Sequence, residues 1–130
     1  MASIFTRIIN REIPGYIVAE DERFIAFLDI NPMVMGHTLI VPKQEVDYIF
    51  DLDDETVAGM NVFAKAVAEA IRKTVSCKRI GIAVIGLEVP HAHMHLVPLN
   101  RTDDLNFTRP KLNPSKEDLA TLAEKIKKAF

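Results

Sequence analysis

The stretch VPHAHMHLVP, residues 89–98, places His91, His93 and His95 at every second position. The whole chain holds only four histidines, the fourth being His37. In an extended segment side chains alternate faces, so the three imidazoles point one way while Ala92, Met94 and Leu96 point the other. Same-face neighbours on a strand stand roughly 6.6 Å apart. Three uses compete for such a row. The imidazoles could be solvated or hydrogen-bonded histidines with no chemistry. Two of them could share a metal ion, but the third is badly placed for the same tetrahedral centre. Or a neutral imidazole could attack phosphorus. It is nucleophilic near pH 7 because its unperturbed pKa is about 6.5. That use needs a partner on the other ring nitrogen and donors for the phosphate oxygens.

The elements around the row are legible in the pattern of apolar residues. SIFTRIIN reads as one or two helical turns with Ser3 near the N-cap, stopped by Pro14 and Gly15. YIVAED and RFIAFLDI read as two strands of a hairpin, and HTLIVP as a third. VDYIF suits a helical turn. DLDDETVAGMNVFAKAVAEAIRKTV is an amphipathic helix of roughly 20 residues. Asp53 caps it, and Val57, Met60, Phe63, Ala64, Val67 and Ile71 form its stripe. RIGIAVIGL and HAHMHLVP are two further strands, and the apolar density of the first predicts burial on both faces. RTDDLNFTRPKLNP is a polar loop. SKEDLATLAEKIKKAF closes the chain as a helix capped by Ser115, with Leu119, Leu122, Ala123, Ile126 and Phe130 as its stripe. This element order predicts an α+β domain: a five-stranded, mostly antiparallel sheet with one long central helix and a C-terminal helix.

Composition bounds the function classes. The chain has 130 residues, 48% of them hydrophobic, and a formal net charge of −2. One domain over residues 1–130 is expected, with residues 110–130 as a C-terminal helical extension. Near-neutral charge gives no electrostatic case for nucleic acid or an anionic membrane. No apolar run nears the ~20 residues that span a bilayer. Arg7 and Arg11 interrupt the N-terminal apolar stretch, which argues against a signal peptide. Cys77 is the single cysteine, so no internal disulfide is available, and a cytoplasmic setting is the default expectation.

HAHMHLVP resembles the His-φ-His-φ-His-φ-φ signature of the histidine triad (HIT) family. The likeness extends to IINREIPGYIVAEDERFIAFLDINPMVMGHTLIVPK, including its FLDINP turn and GHTLIVPK strand, and runs from about Ile4 to Pro98. It implies a homodimer that binds purine nucleotides and cleaves at the α-phosphorus through a nucleotidyl-histidine. Carried over by motif, His93 is the nucleophile. His91 and His95 orient it, hold the phosphate and help move the proton. His37 supports the triad by hydrogen bonding. Asp29 takes the ribose hydroxyls, and Ile13, Phe27 and Ile30 flank the base.

Two departures matter. Ser3 and Thr6 stand where many bacterial relatives carry the Cys-x-x-Cys pair of a structural zinc, so neither metal nor cofactor is expected. Before the triad, Leu87 and Glu88 replace a polar pair that usually serves the phosphate, leaving backbone N–H groups such as that of Val89 as donors. The expected activity is a nucleotide hydrolase or transferase acting on phosphoramidates, adenylylated compounds or dinucleotides. The alternative is a nucleotide-binding regulatory module with little turnover.

Overall fold

The structure, a computed structural model, describes residues 2–130. Helix α1 (Ile4–Ile9) leads into strands β1 (Ile17–Glu20), β2 (Phe24–Leu28) and β3 (Thr38–Pro42). A 3-10 turn at Ile49–Asp51 precedes helix α2 (Asp54–Thr74). Strands β4 (Arg79–Ala83) and β5 (Met94–Leu99) follow, then a second 3-10 turn at Thr102–Asp104 and helix α3 (Lys116–Lys127). The sheet order is β1-β2-β3-β5-β4, and every neighbouring pair is antiparallel.

The helices start where their caps dictate. The Ser3 and Asp53 side chains accept the N–H groups of Thr6 and Thr56, at 3.0 and 2.9 Å, and Ser115 accepts that of Asp118 at 3.0 Å. Asp54 and Glu55 open α2 while Arg72 and Lys73 close it, each with the sign the helix dipole favours.

Alternation in β2 and β3 sends residues to two cores. Ala26, Leu28 and Ile40, with Met94 and Leu96 of β5, pack beneath α2 and α3. Met60, Ala64, Val67 and Ile71 come from α2, and Leu119, Ala123 and Ile126 from α3. Fully burying a side chain such as Ile71 or Ile126 contributes roughly 1.5–3 kcal/mol. Ile25, Phe27, Leu39 and Val41 form the opposite face and are covered by Phe5 and Ile8 of α1. On this second face Phe27, Leu39 and His95 are successive cross-strand partners. The last of the three is the only triad histidine inside a strand.

Three expectations are corrected. The strand expected over RIGIAVIGL ends at Ala83, and it is not buried on both faces. It is an edge strand whose Ile82 is 57% exposed, because β5 pairs with one of its edges and, among the described residues, no strand pairs with the other. The triad strand begins at Met94 rather than His91, although the in-out alternation persists from Ala92 through Leu96. Phe130 lies beyond α3 and is exposed, since the helix ends before it can join the stripe.

Candidate active site

The site is assembled at the ends of strands. β2 stops at Leu28, and the next residue, Asp29, turns the chain: its Oδ1 accepts the Asn31 N–H at 2.9 Å. The chain returns through Gly36, whose φ of 97° lies in the left-handed region. A Cβ there would stand 3.0 Å from both Pro98 Cγ and Val75 Cγ2, so glycine is required on two grounds. His37 follows directly and is buried at the head of β3.

Hydrogen-bond partners assign the tautomer of all four imidazoles. The Met33 N–H donates to His37 Nδ1 at 3.1 Å. His37 therefore carries its proton on Nε2, which lies 2.9 Å from His95 Nδ1. His95 accepts there and so keeps its own hydrogen on Nε2. His91 donates Nε2–H to the Pro42 carbonyl at 2.8 Å and accepts the Ser3 hydroxyl at Nδ1, at 2.7 Å. His93 donates Nδ1–H to the His91 carbonyl at 2.7 Å. Its Nε2 is thereby left with a lone pair and no protein partner. Among the described residues no side-chain nitrogen or oxygen that is itself sealed from solvent lacks a hydrogen bond, so this Nε2 opens to solvent although the residue is mostly buried.

Burial keeps this chain neutral. Desolvation, reinforced by the Lys111 ammonium and the adjoining imidazoles, puts the pKa of His37 down at about 4 and that of His95 down at about 3. Burial also lowers His91, against the opposing pull of the Pro42 carbonyl and Glu45. Asp29 is raised, again by burial first, with Lys111 and His93 opposing and Glu88 reinforcing the shift.

The rings of His93 and His95 lie 5.0 Å apart and are bracketed by aromatic edges. Phe5 packs against His93 at 4.9 Å, and Phe107 against His95 at 4.8 Å. Both histidines line a cavity of about 350 Å³. α1 contributes Ile4 and Phe5, the β2–β3 region Asp29, His37 and Leu39, and the connection before the triad Leu87, Glu88 and Val89. The segment after β5 contributes Phe107 and Lys111, whose ammonium donates to the Phe107 carbonyl at 2.9 Å.

Of the residues expected at the site, His93, His95, His37, Asp29 and Val89 meet in this cavity. His91 does not: it is fully buried, with both ring nitrogens engaged by Ser3 and Pro42. Its carbonyl accepts the His93 Nδ1–H. Phe27, Ile13 and Ile30 are not cavity-lining either. Phe27 is covered by the Phe5 ring at 5.4 Å, Ile13 packs against the α1 core, and Ile30 is 57% exposed. Ile4, Phe5 and Leu39 were not anticipated, whereas Phe107 and Lys111 come from RTDDLNFTRPKLNP, the segment after the triad that was expected to reach the leaving-group side. Ile4 and Phe5 fall within the stretch that resembles the family, which is the one signal that could have found them. Lys111 is brought in by a long-range bond, Leu112 N–H to the Pro32 carbonyl at 2.9 Å, with no local signature.

Asp29, His37 and His95 bring three potential metal-ligating atoms within 4.8 Å of one another. Their protonation works against an ion, because His37 Nε2 bears a hydrogen and the His95 Nδ1 lone pair receives it. At the Ser3–Thr6 position the donors are hydroxyls, and both are already hydrogen-bonded to neighbouring side chains.

The same arrangement of strands and motifs occurs in known proteins. A HIT domain model matches residues 10–102. An uncharacterized HIT-like protein of Borreliella burgdorferi is 36% identical over 131 residues, covering 95% of this chain and 94% of that protein. The adenosine 5′-monophosphoramidase of Schizosaccharomyces pombe is 31% identical over 128 residues, covering 97% and 96%. A crystal structure of a Hit-like protein involved in cell-cycle regulation from Bartonella henselae superposes with a TM-score of 0.85 at 30% identity, covering 98% of this chain and 96% of that one. With its alternating histidines, antiparallel sheet and matched length, the chain belongs to the HIT domain family.

Proposed function

We propose that this chain is a nucleotide hydrolase or transferase acting at the α-phosphorus of nucleoside 5′-phosphoramidates or related adenylylated compounds. The observation that carries the reading is the pairing of His93 Nδ1–H with the His91 carbonyl, which leaves a neutral Nε2 at the cavity. In the first step Nε2 gives its lone pair to phosphorus as the bond to the leaving group breaks. The leaving group takes that bond's electrons and a proton from solvent. His95 Nε2–H donates to a phosphate oxygen while charge redistributes. Nδ1–H stays on the His91 carbonyl, so the nucleotidyl-imidazole is cationic and departs readily. In the second step a water oxygen bonds phosphorus, the Nε2–P bond returns its electrons to the ring, and the water proton goes to solvent.

Asp29 Oδ2 is the acceptor for the ribose hydroxyls, and Ile4, Phe5 and Leu39 offer an apolar surface for a purine base. The protein works as a homodimer in the cytoplasm. The support for the dimer is the unpaired edge of β4, together with the apolar surface of Tyr48, Phe50, Ile82 and Val84 beside it. That surface lines a groove which shares Ile85, Leu87 and His93 with the cavity. The net charge is −2, and among the described residues no helix is long and apolar enough to cross a membrane.

One observation favours a second reading. Leu87 and Glu88 line the cavity where polar side chains would serve the phosphate, and a carboxylate there suits a slow nucleotide-binding module. Incubation with adenosine 5′-phosphoramidate separates the two. Release of AMP and ammonia, with an AMP adduct detected by intact-mass spectrometry, supports the enzyme. AMP binding without turnover across phosphoramidate, adenylylated and dinucleotide substrates would reject it.

A further inference from the structure

Glu45 lies outside the cavity and touches none of the groups that the reaction above requires. It is nevertheless the point at which three parts of the site are tied together. Its Oε1 accepts the Ser3 N–H at 2.7 Å and the Thr6 hydroxyl at 2.5 Å. Bonds to an ionised acceptor are roughly twice as strong as neutral ones. Ser3 is the cap of α1, and its hydroxyl is the group that donates to His91 Nδ1. On the other side of the His91 ring, Nε2–H meets the Pro42 carbonyl, three residues before Glu45. The Ala92 N–H meets the Val46 carbonyl at 2.7 Å, one residue after it. The segment 42–46 thus grips residues 91–92 directly, and grips α1 through one carboxylate.

Two consequences converge on the reacting nitrogen. The His91 carbonyl is the acceptor that fixes the His93 tautomer, and His91 is held on both ring nitrogens by this arrangement. α1 also carries Ile4 and Phe5 into the cavity, and the Phe5 ring packs against His91 at 5.9 Å as well as against His93. The Glu45 carboxylate itself stops 4.0 Å from His91 Nδ1, beyond hydrogen-bond reach, so it acts through Ser3 and Thr6.

We propose that Glu45 is a positioning residue for the reaction: it latches the start of α1 onto His91, and so holds both the His93 tautomer and the Ile4–Phe5 side of the cavity. This rests on the function proposed above only where turnover is the readout. The test compares full-length Glu45→Ala, Glu45→Gln and Thr6→Val with the parent protein. It measures kcat and KM for adenosine 5′-phosphoramidate, AMP affinity, the melting midpoint, and the imidazole ¹⁵N shifts of His93.

Glu45→Ala is expected to lower kcat/KM about tenfold, through both a lower kcat and a higher KM, since a small displacement of reacting groups is costly. Its His93 ¹⁵N shifts should move from a single Nδ1–H tautomer toward a mixture. Glu45→Gln keeps an acceptor oxygen and should recover most of the loss. Thr6→Val removes one of the two donors, falls between them, and decides the matter if Glu45→Ala does not fold. A lower melting midpoint with parental kcat, KM and His93 shifts would overturn the proposal. If the parent protein turns over no substrate, the proposed reaction fails, yet the latch is still judged. His93 shifts and AMP affinity that change in Glu45→Ala sustain it, and unchanged values sink it.

Discussion

The two sides of the cavity are built on different physical terms. On the inner side His37, His95, His91 and Ser3 are buried, and the ring hydrogens of His37 and His91 and the Ser3 hydroxyl each meet an acceptor. On the outer side Leu87 is 87% exposed, Glu88 is exposed on the rim, and Lys111 bonds only its neighbour's carbonyl. The inner side fixes protons and geometry in a low-dielectric setting, where an unpaired polar group costs about 1–3 kcal/mol. The outer side presents charge to water, where each interaction is screened and small. For the proposed reaction, the difference puts bond-making on the scaffold and leaving-group preference on the rim. Substitutions on the two sides should therefore differ in size and in which kinetic constant they move.

The largest effect belongs to the inner side. His93→Ala should reduce kcat for a nucleoside phosphoramidate by at least about 10³-fold, with AMP affinity changed only modestly, because it deletes the proposed nucleophile and little binding surface. Single-turnover kinetics with equilibrium AMP binding checks the split. Equal losses in binding and turnover would erase the distinction between the two sides.

His37→Ala comes next. It leaves the Met33 N–H without its acceptor and His95 Nδ1 without its donor. Activity should fall about 10- to 100-fold, the range seen when a group that orients a reacting side chain is removed. Stability should fall by roughly 2–4 kcal/mol from the cavity and the unpaired N–H together. Denaturant unfolding and kcat report the two effects separately.

The pH dependence of stability has the same origin. Burial holds the pKa of His37 down at about 4 and that of His95 down at about 3 in the folded chain, whereas a free imidazole has a pKa of about 6.5. Between these limits the unfolded chain binds more protons, so acidification favours unfolding. The stability associated with the neutral pair is complete above about pH 6.5 and is lost as the pH falls toward 4 and then 3. The slope is at most about 1.4 kcal/mol per pH unit for each histidine. Unfolding midpoints from pH 4 to 7 test it, and His37→Ala should flatten the curve.

The smallest effects are expected on the rim. Lys111→Ala should raise KM for an anionic substrate about threefold, with kcat nearly unchanged, and the effect should shrink as salt is added. Glu88→Gln should lower KM by about twofold, because it removes the carboxylate that opposes the phosphate. KM measured at two ionic strengths checks both. A large kcat loss in either variant would move the rim into the chemistry.

Much of this arrangement could be read before any coordinates. Caps at Ser3, Asp53 and Ser115 mark the helix starts, and alternation in HAHMHL puts the imidazoles opposite Ala92, Met94 and Leu96. What alternation cannot supply is depth. His91 and His93 share a face, but α1 folds over the first and leaves the second at the cavity. Apolar density could not distinguish the edge strand β4 from a buried one, since the same residues suit a core or a face awaiting a partner. Ile4 and Phe5 belong to a helix too short for its periodicity to say which face meets a ligand. Lys111 depends on a bond between residues 112 and 32, and no local pattern encodes that distance in sequence.

The central claim is that His93 reacts at Nε2 because its Nδ1 is committed to the His91 carbonyl. The direct measurement traps the nucleotidyl intermediate on ¹⁵N-labelled protein by rapid quench and locates the phosphorus by ³¹P–¹⁵N coupling. Attachment at Nε2 of His93 is the predicted result. Attachment at Nδ1, attachment to another residue, or turnover with no trapped intermediate would contradict it.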